Sequence, residues 1–143
     1  MAQPKKCGNC GSEKIKKIDK SSLTLPWRDY PAVLMSQPVS GLKCESCGEL
    51  ILNATQGKDL DAKIEASIVE AVQSYLALIL QREKCEQKDI AAHLGVSPEY
   101  LSEIKSGRKL PKFQTFNFLK TLACDANSFK VSDPKYQPKR VTA

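Results

Sequence analysis

Histidine is almost missing from this chain of 143 residues, in which His93 is the only one. A site that needs two or more imidazoles is therefore excluded. Long apolar runs are missing too, because none reaches the roughly 18 residues that a membrane helix needs. The first ten residues have no apolar stretch between the lysines and the first cysteines, unlike a secretory signal. We therefore expect a cytoplasmic protein without a membrane partner.

Acidic residues are in the minority, with 16 Asp and Glu against 22 Lys and Arg, a net charge of +6. Hydrophobic residues make up 41% and charged residues 27%, which is typical of a folded globular chain. The length allows one ordinary domain or two small ones. Residues 1–56 carry eight basic and five acidic side chains, and residues 82–130 carry nine and six. The positive excess is thus divided between two regions.

Four of the six cysteines form two Cys-x-x-Cys pairs, Cys7 with Cys10 and Cys44 with Cys47, each followed by a glycine. Such a pair places two thiolates on one side of a tight knuckle, and the glycine lets nearby amides point at sulfur. Two knuckles together form a closed tetrahedral site. Zinc fits this site as a structural ion, one per chain, and iron is the alternative.

Residues 1–56 have few large apolar side chains and several prolines, so we expect short strands and turns that need the metal for stability. Four ordinary thiols or a redox pair are the alternatives, but a thioredoxin-like pair stands alone at a helix start. The remaining cysteines, Cys85 and Cys124, fall at apolar positions of helical segments. We expect both to be buried, inert thiols.

Residues 59–83 carry apolar side chains at spacings of three and four, which predicts one or two amphipathic helices after a joint at residues 53–58. Two short helices follow, joined by a turn at Gly95. Ser97 is the expected N-cap of the second helix and Pro98 its first residue. Gly107 ends that helix, and a third helix follows with Phe113, Phe116, Leu119 and Leu122.

This order of elements resembles the Xre/Cro-type helix-turn-helix family. The resemblance covers the small-residue helix, the Gly-Val-Ser turn at 95–97, a recognition helix at 98–105 and a Gly-basic turn at 107–109. It implies a lambda-repressor-like all-α domain at residues 72–130 that binds double-stranded DNA. Basic residues stand at 105, 108, 109, 112 and 120 with no acidic residue between them, and on the implied fold the first three flank the C-terminal end of the recognition helix, where phosphates pass. The implied DNA contacts are Glu99, Glu103 and Lys109 on bases, Tyr100 and Ser102 beside them, and Gln87, Ser97, Lys105 and Arg108 on the backbone.

The two halves together resemble the MqsA-type antitoxins, which carry a zinc-finger module called YgiT-type. The Gly-Leu-x-Cys-x-x-Cys-Gly-Glu run at 41–49 and the domain order carry the resemblance. It implies a homodimer formed mainly through the C-terminal domain, a ribonuclease toxin bound to the zinc half, and repression of the operon. The family has asparagine and arginine where this chain has Glu99 and Glu103, so the DNA sequence that is read must differ. A carboxylate accepts a hydrogen bond from cytosine N4.

Aromatic residues make up only 6% of the chain, and two of them, Trp27 and Tyr30, flank Arg28 between prolines. These three residues either pack over the zinc module or form an anchor for a protein partner.

We therefore predict two small domains, a β-rich zinc module at 1–56 and a helix-turn-helix domain at 72–130, with a linker or amphipathic helix at 57–71 and a disordered basic tail at 131–143. The predicted function is that of an antitoxin and repressor. A free-standing Xre-type regulator, whose zinc module serves dimerisation or sensing, is the alternative. An enzyme is the weakest candidate, because a closed four-thiolate site leaves no open position.

Overall fold

The computed structural model describes residues 5–20 and 23–137, and it has strands in the first part and helices in the second. The strands are β1 (Ile15–Lys20), β2 (Thr24–Trp27), β3 (Tyr30–Leu34), β4 (Val39–Cys44) and β5 (Leu50–Ile51). The helices of the described part are α1 (Ala54–Glu83), α2 (Gln87–Leu94), α3 (Pro98–Ser106), α4 (Phe113–Cys124) and α5 (Ala126–Ser132). The predicted order of a β-rich region followed by a helical region is confirmed.

The chain divides into two compact units, with the boundary between Ser67 and Ile68. The boundary lies inside α1 and within the segment 57–71 that the sequence predicts to be a linker or helix. The expected joint at 53–58 is the start of α1, where Asn53 and Gln56 cap each other. The Asn53 side chain accepts from the Gln56 amide at 2.8 Å, and the Gln56 side chain accepts from the Asn53 amide at 3.1 Å.

The strand unit contains a three-stranded antiparallel sheet in the order β1-β4-β5 and a separate hairpin of β2 and β3. The register places Ile15 opposite Cys44 and Ile18 opposite Gly41. A methyl group at Gly41 would meet Leu52 Cδ2 at 2.7 Å, so a larger residue at this strand position requires the Leu52 side chain to move. The pairing of β1 with β4 brings the two cysteine knuckles together, because one precedes β1 and the other follows β4.

The first turns of α1 complete the strand unit through a buried polar contact. Ser67 is 4% exposed, and its hydroxyl accepts from the Ser36 amide at 3.0 Å and donates to the Lys63 carbonyl at 2.8 Å. The Lys63 ammonium donates to the Pro38 carbonyl at 3.3 Å. Since the buried hydroxyl both donates and accepts a hydrogen bond, these bonds offset the cost of removing it from water.

The helical unit has one continuous apolar core to which the rest of α1 and the other four described helices contribute. Its buried residues are Val72, Leu76, Ile79, Ile90, Ala91, Leu101, Ile104, Leu119, Leu122, Ala123 and Phe129. Arg82 ties α1 to the end of α4, because its guanidinium donates to the carbonyls of Leu122 and Ala123 at 2.8 and 2.7 Å. These carbonyls have no partner within the helix, so the arginine satisfies them.

Helix α5 was not foreseen, because the sequence predicts three helices after residue 84 and a disordered tail from residue 131. Asp125 caps the helix by accepting from the Asn127 amide at 3.0 Å. Phe129 is buried and stacks on His93 at 3.8 Å between ring centroids, and the His93 Nδ1 lies 2.8 Å from the Ser132 hydroxyl. Val131 and Ser132 are therefore helical, and the last six residues of the predicted tail, 138–143, lie outside the described residues.

The prediction for the two isolated cysteines was wrong. Cys85 is half-buried in the connection between α1 and α2, outside any helix, and Cys124 is exposed at the end of α4. The core face of α4 is taken by Leu119, Leu122 and Ala123. The next residue is rotated by about 100° around the helix, which carries the Cys124 side chain away from the core.

Of the described helices, α1 alone has the length and hydropathy of a membrane span, with 30 residues and a mean hydropathy of 1.2 in its most apolar window. A third of that window is buried inside the protein. Val72, Leu76 and Ile79 are fully buried in the helical core, which accounts for much of the apolar character. A core helix of a soluble protein has the same properties, so this is only a weak indication of a membrane span.

Candidate metal centre and polar surface of helix α3

The two cysteine knuckles are built in the same way. In each, the glycine after the second cysteine donates its amide to the carbonyl of the first cysteine, Gly11 to Cys7 at 2.8 Å and Gly48 to Cys44 at 2.9 Å. Both glycines have positive φ, +74° and +78°, which other residues adopt at a cost. The Glu45 amide donates to the Lys14 carbonyl at 2.9 Å and joins the second knuckle to the strand that follows the first.

The four sulfur atoms lie within 4.8 Å of one another. The Cys7 and Cys47 sulfurs are 3.6 Å apart, and those of Cys10 and Cys44 are 3.5 Å apart. In a tetrahedral site with metal–sulfur bonds of about 2.3 Å, neighbouring sulfurs are about 3.8 Å apart. The sulfurs therefore surround a space of the right size for one ion. The structure brings together all four predicted ligands, as a possible metal site.

Backbone amides around the knuckles favour thiolate. The Cys47 amide lowers the pKa of the Cys44 thiol to about 6, and the Glu49 amide lowers the pKa of Cys47. The Ser12 amide likewise acts to lower the pKa of Cys10. It is outweighed by hydrogen bonds from the neighbouring thiols and by desolvation, which raise the pKa to about 12. Four sulfurs this close cannot all be anionic without a cation among them. The donor set therefore fits a soft divalent metal.

Each knuckle has one buried and one exposed cysteine, since Cys7 and Cys44 are 3% and 0% exposed while Cys10 and Cys47 face solvent. A serine next to each cysteine pair links the two knuckles at the surface, with the hydroxyls of Ser12 and Ser46 2.9 Å apart. The sequence analysis did not identify this bridge, because it depends on the register between strands far apart in the chain.

The connection between α2 and α3 has the predicted geometry. Gly95 ends α2 in the left-handed conformation, with φ +72°, and Ser97 caps α3 by accepting from the Tyr100 amide at 3.1 Å. Pro98 is the first residue of α3. Leu101 and Ile104 are fully buried, so the opposite side of α3 faces solvent. The exposed residues on α3 include three of the predicted DNA contacts, Glu99, Ser102 and Lys105.

Glu103 and Lys109 form an ion pair, with 2.8 Å between the Lys109 Nζ and the Glu103 Oε2. Gly107, at φ +82°, turns the chain back after α3. The amides of Arg108 and Lys109 then both donate to the Glu103 carbonyl, at 3.0 and 3.3 Å. The hydrogen bond to the Glu103 carboxylate and its charge raise the pKa of Lys109. Sequence reasoning assigned both residues to bases but did not pair them.

The other residues predicted to contact DNA differ in the contacts that they already make within the protein. The Lys105 ammonium donates to the Gln87 side chain at 3.2 Å, and the Arg108 guanidinium donates to the Ser106 hydroxyl at 3.1 Å. Tyr100 is half-buried against the helical core. The sequence did not reveal two residues that hold these predicted contacts in place, Ser106 and Gln73. The Gln73 side-chain amide donates to the Lys105 carbonyl at 2.9 Å. For Ser106, the available signal in the sequence was the pattern Ser-Gly-Arg at 106–108.

The three residues predicted as a partner anchor have different roles. Tyr30 is 2% exposed and belongs to the core of the strand unit, so of the two interpretations, packing and partner anchor, its burial favours packing. Trp27 is half-buried, and its indole donates to the Asp61 carboxylate at 3.3 Å. The exposed Arg28 guanidinium lies 4.2 Å from the centre of the Trp27 ring. Trp27 and Arg28 remain available at the tip of the β2–β3 hairpin.

No protein-family model and no curated protein matches this chain.

Proposed function

We propose that the chain is a zinc-stabilised, sequence-specific repressor that binds double-stranded operator DNA through α3. In this proposal α2, the turn at 95–97 and α3 are a helix-turn-helix, and the helical half forms a homodimer. The proposal includes the MqsA-type resemblance, so that the protein is the antitoxin of a ribonuclease toxin. It includes no catalytic activity, because a closed four-thiolate site has no open coordination position.

The single observation that carries DNA binding is the polar side of α3. The cap at Ser97 and the left-handed glycines at 95 and 107 fix both ends of a short helix whose inner face is fully buried. Its outer face carries exposed polar side chains, and exposed Lys105 and Arg108 lie at and just after its C-terminal end. Exposed basic groups at the end of such a helix are placed to contact phosphates on either side of a major groove.

Zinc is the proposed ion because four thiolates at tetrahedral spacing favour it, with iron as the competitor. When bound, zinc cross-links the two knuckles and adds no redox chemistry. Metal analysis of freshly purified protein separates the two ions, since one equivalent of zinc gives a colourless protein and iron–thiolate gives visible absorption. A folded strand unit with far less than one equivalent of any metal would exclude the proposed role.

The DNA proposal is tested by selection on random duplexes with the zinc-loaded full chain. We expect an enriched, two-fold symmetric motif. Arg108→Ala should weaken binding to every sequence alike and reduce the dependence of log affinity on log salt by about one unit. Lys130→Ala, an exposed lysine on α5 of the same unit, is the matched control and should change neither. Selection that enriches nothing argues against sequence-specific binding.

The antitoxin part of the proposal places the toxin on the strand unit, at Trp27 and Arg28. The supporting contact is the stacked pair at the hairpin tip, because Trp and Arg are the residue types that most often anchor interfaces. Arg28→Ala removes an exposed group and should weaken the toxin complex while operator binding is retained. Tyr30→Phe tests the same hairpin from its buried side and should leave the toxin complex intact.

The alternative is a free-standing regulator whose metal module serves dimerisation or sensing. The two functions separate by co-purification of the untagged product of the neighbouring gene with this chain. Capture of a small basic ribonuclease, lost in Arg28→Ala, supports the antitoxin. Absence of such a gene together with retained operator binding favours the free-standing regulator.

A further inference from the structure

We propose that the Glu103–Lys109 ion pair reads a single G·C base pair as one unit, with the carboxylate on cytosine and the ammonium on guanine. This inference rests on the proposed DNA-binding function and deepens it by naming the base pair that the end of α3 selects. The observation behind it is the pairing of two opposite charges, the half-buried Glu103 on α3 and the exposed Lys109 in the turn that follows α3.

The geometry leaves both members of the pair able to bind further groups. The Lys109 side chain is 60% exposed and that of Glu103 is 30% exposed. The Glu103 Oε2, which lies 2.8 Å from the Lys109 Nζ, is buried, so Oε1 is the oxygen left to accept from a base. An ammonium has three donors, of which the carboxylate occupies one, and a carboxylate accepts more than one hydrogen bond. The pair therefore offers an acceptor and a donor next to each other.

The major-groove edge of a G·C pair has the complementary pattern. Cytosine presents the N4 amine as a donor, and guanine presents O6 and N7 as acceptors beside it. The preferred partners of these groups are a carboxylate for cytosine N4 and a lysine or arginine for guanine. In an A·T pair the adenine N6 amine can also donate to a carboxylate, but it separates the acceptors adenine N7 and thymine O4, so the ammonium reaches only one of them. In a G·C pair the ammonium can bridge guanine O6 and N7, which lie side by side.

The ion pair also removes an objection to a carboxylate on a DNA-binding helix. An isolated Glu103 would repel the phosphates, whereas the paired carboxylate is neutralised by Lys109. The turn after Gly107 holds the lysine in place, because the amides of Arg108 and Lys109 are both bonded to the Glu103 carbonyl. A pair that is ordered before binding loses less conformational entropy when it meets the base pair.

The experiment compares selected motifs for the zinc-loaded full chain and two variants, Glu103→Gln and Glu99→Gln. We expect the wild-type motif to contain an invariant G·C pair in each half-site. Glu103→Gln should replace it by A·T, because glutamine bonds adenine N6 and N7, with a change in discrimination of about 5- to 150-fold. Glu99→Gln removes the other exposed carboxylate of α3, one turn away, and should leave that position unchanged.

A base analogue tests the contact on the DNA side. Replacing the selected cytosine with 2-pyrimidinone removes the N4 amine, and it should weaken wild-type binding by about as much as Glu103→Gln does on the unmodified site. The two changes should not add, because each removes the same hydrogen bond. Equal melting temperatures of the variant and the wild type exclude misfolding as the reason.

The outcomes separate the inference from the function on which it rests. A motif that is the same for wild type and Glu103→Gln, or that tolerates 2-pyrimidinone without loss, overturns the inference and leaves DNA binding intact. A full chain that shows no motif and no salt-sensitive binding overturns the proposed function and the inference together.

Discussion

Different interactions stabilise the fold within each of the two units, residues 1–67 and residues 68–143. In the described part of the first, the buried apolar residues are few and two of them are the cysteines Cys7 and Cys44. In the second, α1 to α5 share one continuous apolar cluster with fully buried leucines and isoleucines. The comparison indicates that the helical unit depends on side-chain volume, and we therefore expect the strand unit to depend on an ion bound at its possible metal site.

Removal of the metal is the strongest test of this difference. Chelation of the full chain should unfold the β1-β4-β5 sheet and spare the helical core, because structural zinc contributes on the order of 10–16 kcal/mol in small modules. Hydrogen exchange followed by mass spectrometry should show loss of protection in β1 and β4. Protection in α2, α3 and α4 should persist at the same chelator concentration.

Two results would contradict that prediction. Full protection of the sheet in metal-free protein would mean that the apolar residues of the strand unit suffice. Simultaneous loss of protection in α2 to α4 would mean that the helical core is not independent of the metal.

Replacement of a single ligand should have a smaller effect of the same kind. Cys44→Ser removes a fully buried ligand from the centre of the second knuckle and should lower metal content well below one equivalent. Cys124→Ser, an exposed cysteine at the end of α4, is the matched control and should retain the full metal content. Metal analysis after gel filtration makes the comparison, and equal metal content in the two variants would refute the assignment of Cys44 as a ligand.

A cavity in the helical core should destabilise the helical unit and leave the metal content unchanged. Leu76→Ala deletes a side chain that is 0% exposed and should cost about 2–5 kcal/mol of unfolding free energy in the helical unit. Metal content should not change. Leu78→Ala, two residues along the same helix and 50% exposed, should cost much less. Thermal unfolding followed at 222 nm measures both, and similar losses in the two variants would speak against the packed core.

The sequence alone predicts those features of the structure that are determined by residues close together in the chain. The two Cys-x-x-Cys pairs, the left-handed Gly95 and the Ser97 cap all follow from spacings of a few residues. The structure has each of them, with the four sulfurs together as a possible metal site. These features depend on local backbone preferences, which a single sequence displays directly.

Features that depend on which surfaces meet were not predictable in the same way. The burial of Tyr30 depends on the hairpin folding over it, and α5 depends on Phe129 finding His93. The Glu103–Lys109 pair forms because the turn at Gly107 reverses the chain by an amount that no spacing rule specifies. Cys124 follows the buried Ala123, and its exposure depends on which face of α4 meets the core.

The smallest expected effect compares one glycine from each unit. Gly95 has φ +72° and no heavy atom within 4 Å of an added methyl group, so Gly95→Ala should cost only backbone strain, about 1–2 kcal/mol. Gly57 lies in the first turns of α1 without positive φ and with the same open space, so Gly57→Ala should stabilise the strand unit by about 0.5–1 kcal/mol. The two substitutions add the same methyl group, and opposite signs are expected because only one of the two glycines is left-handed. Thermal unfolding of metal-loaded protein should show a lower midpoint for the helical unit in the first variant and a higher midpoint for the strand unit in the second. Shifts in the same direction would mean that the turn at Gly95 relaxes without strain, and the fixed orientation of α3 after α2 would lose its physical basis.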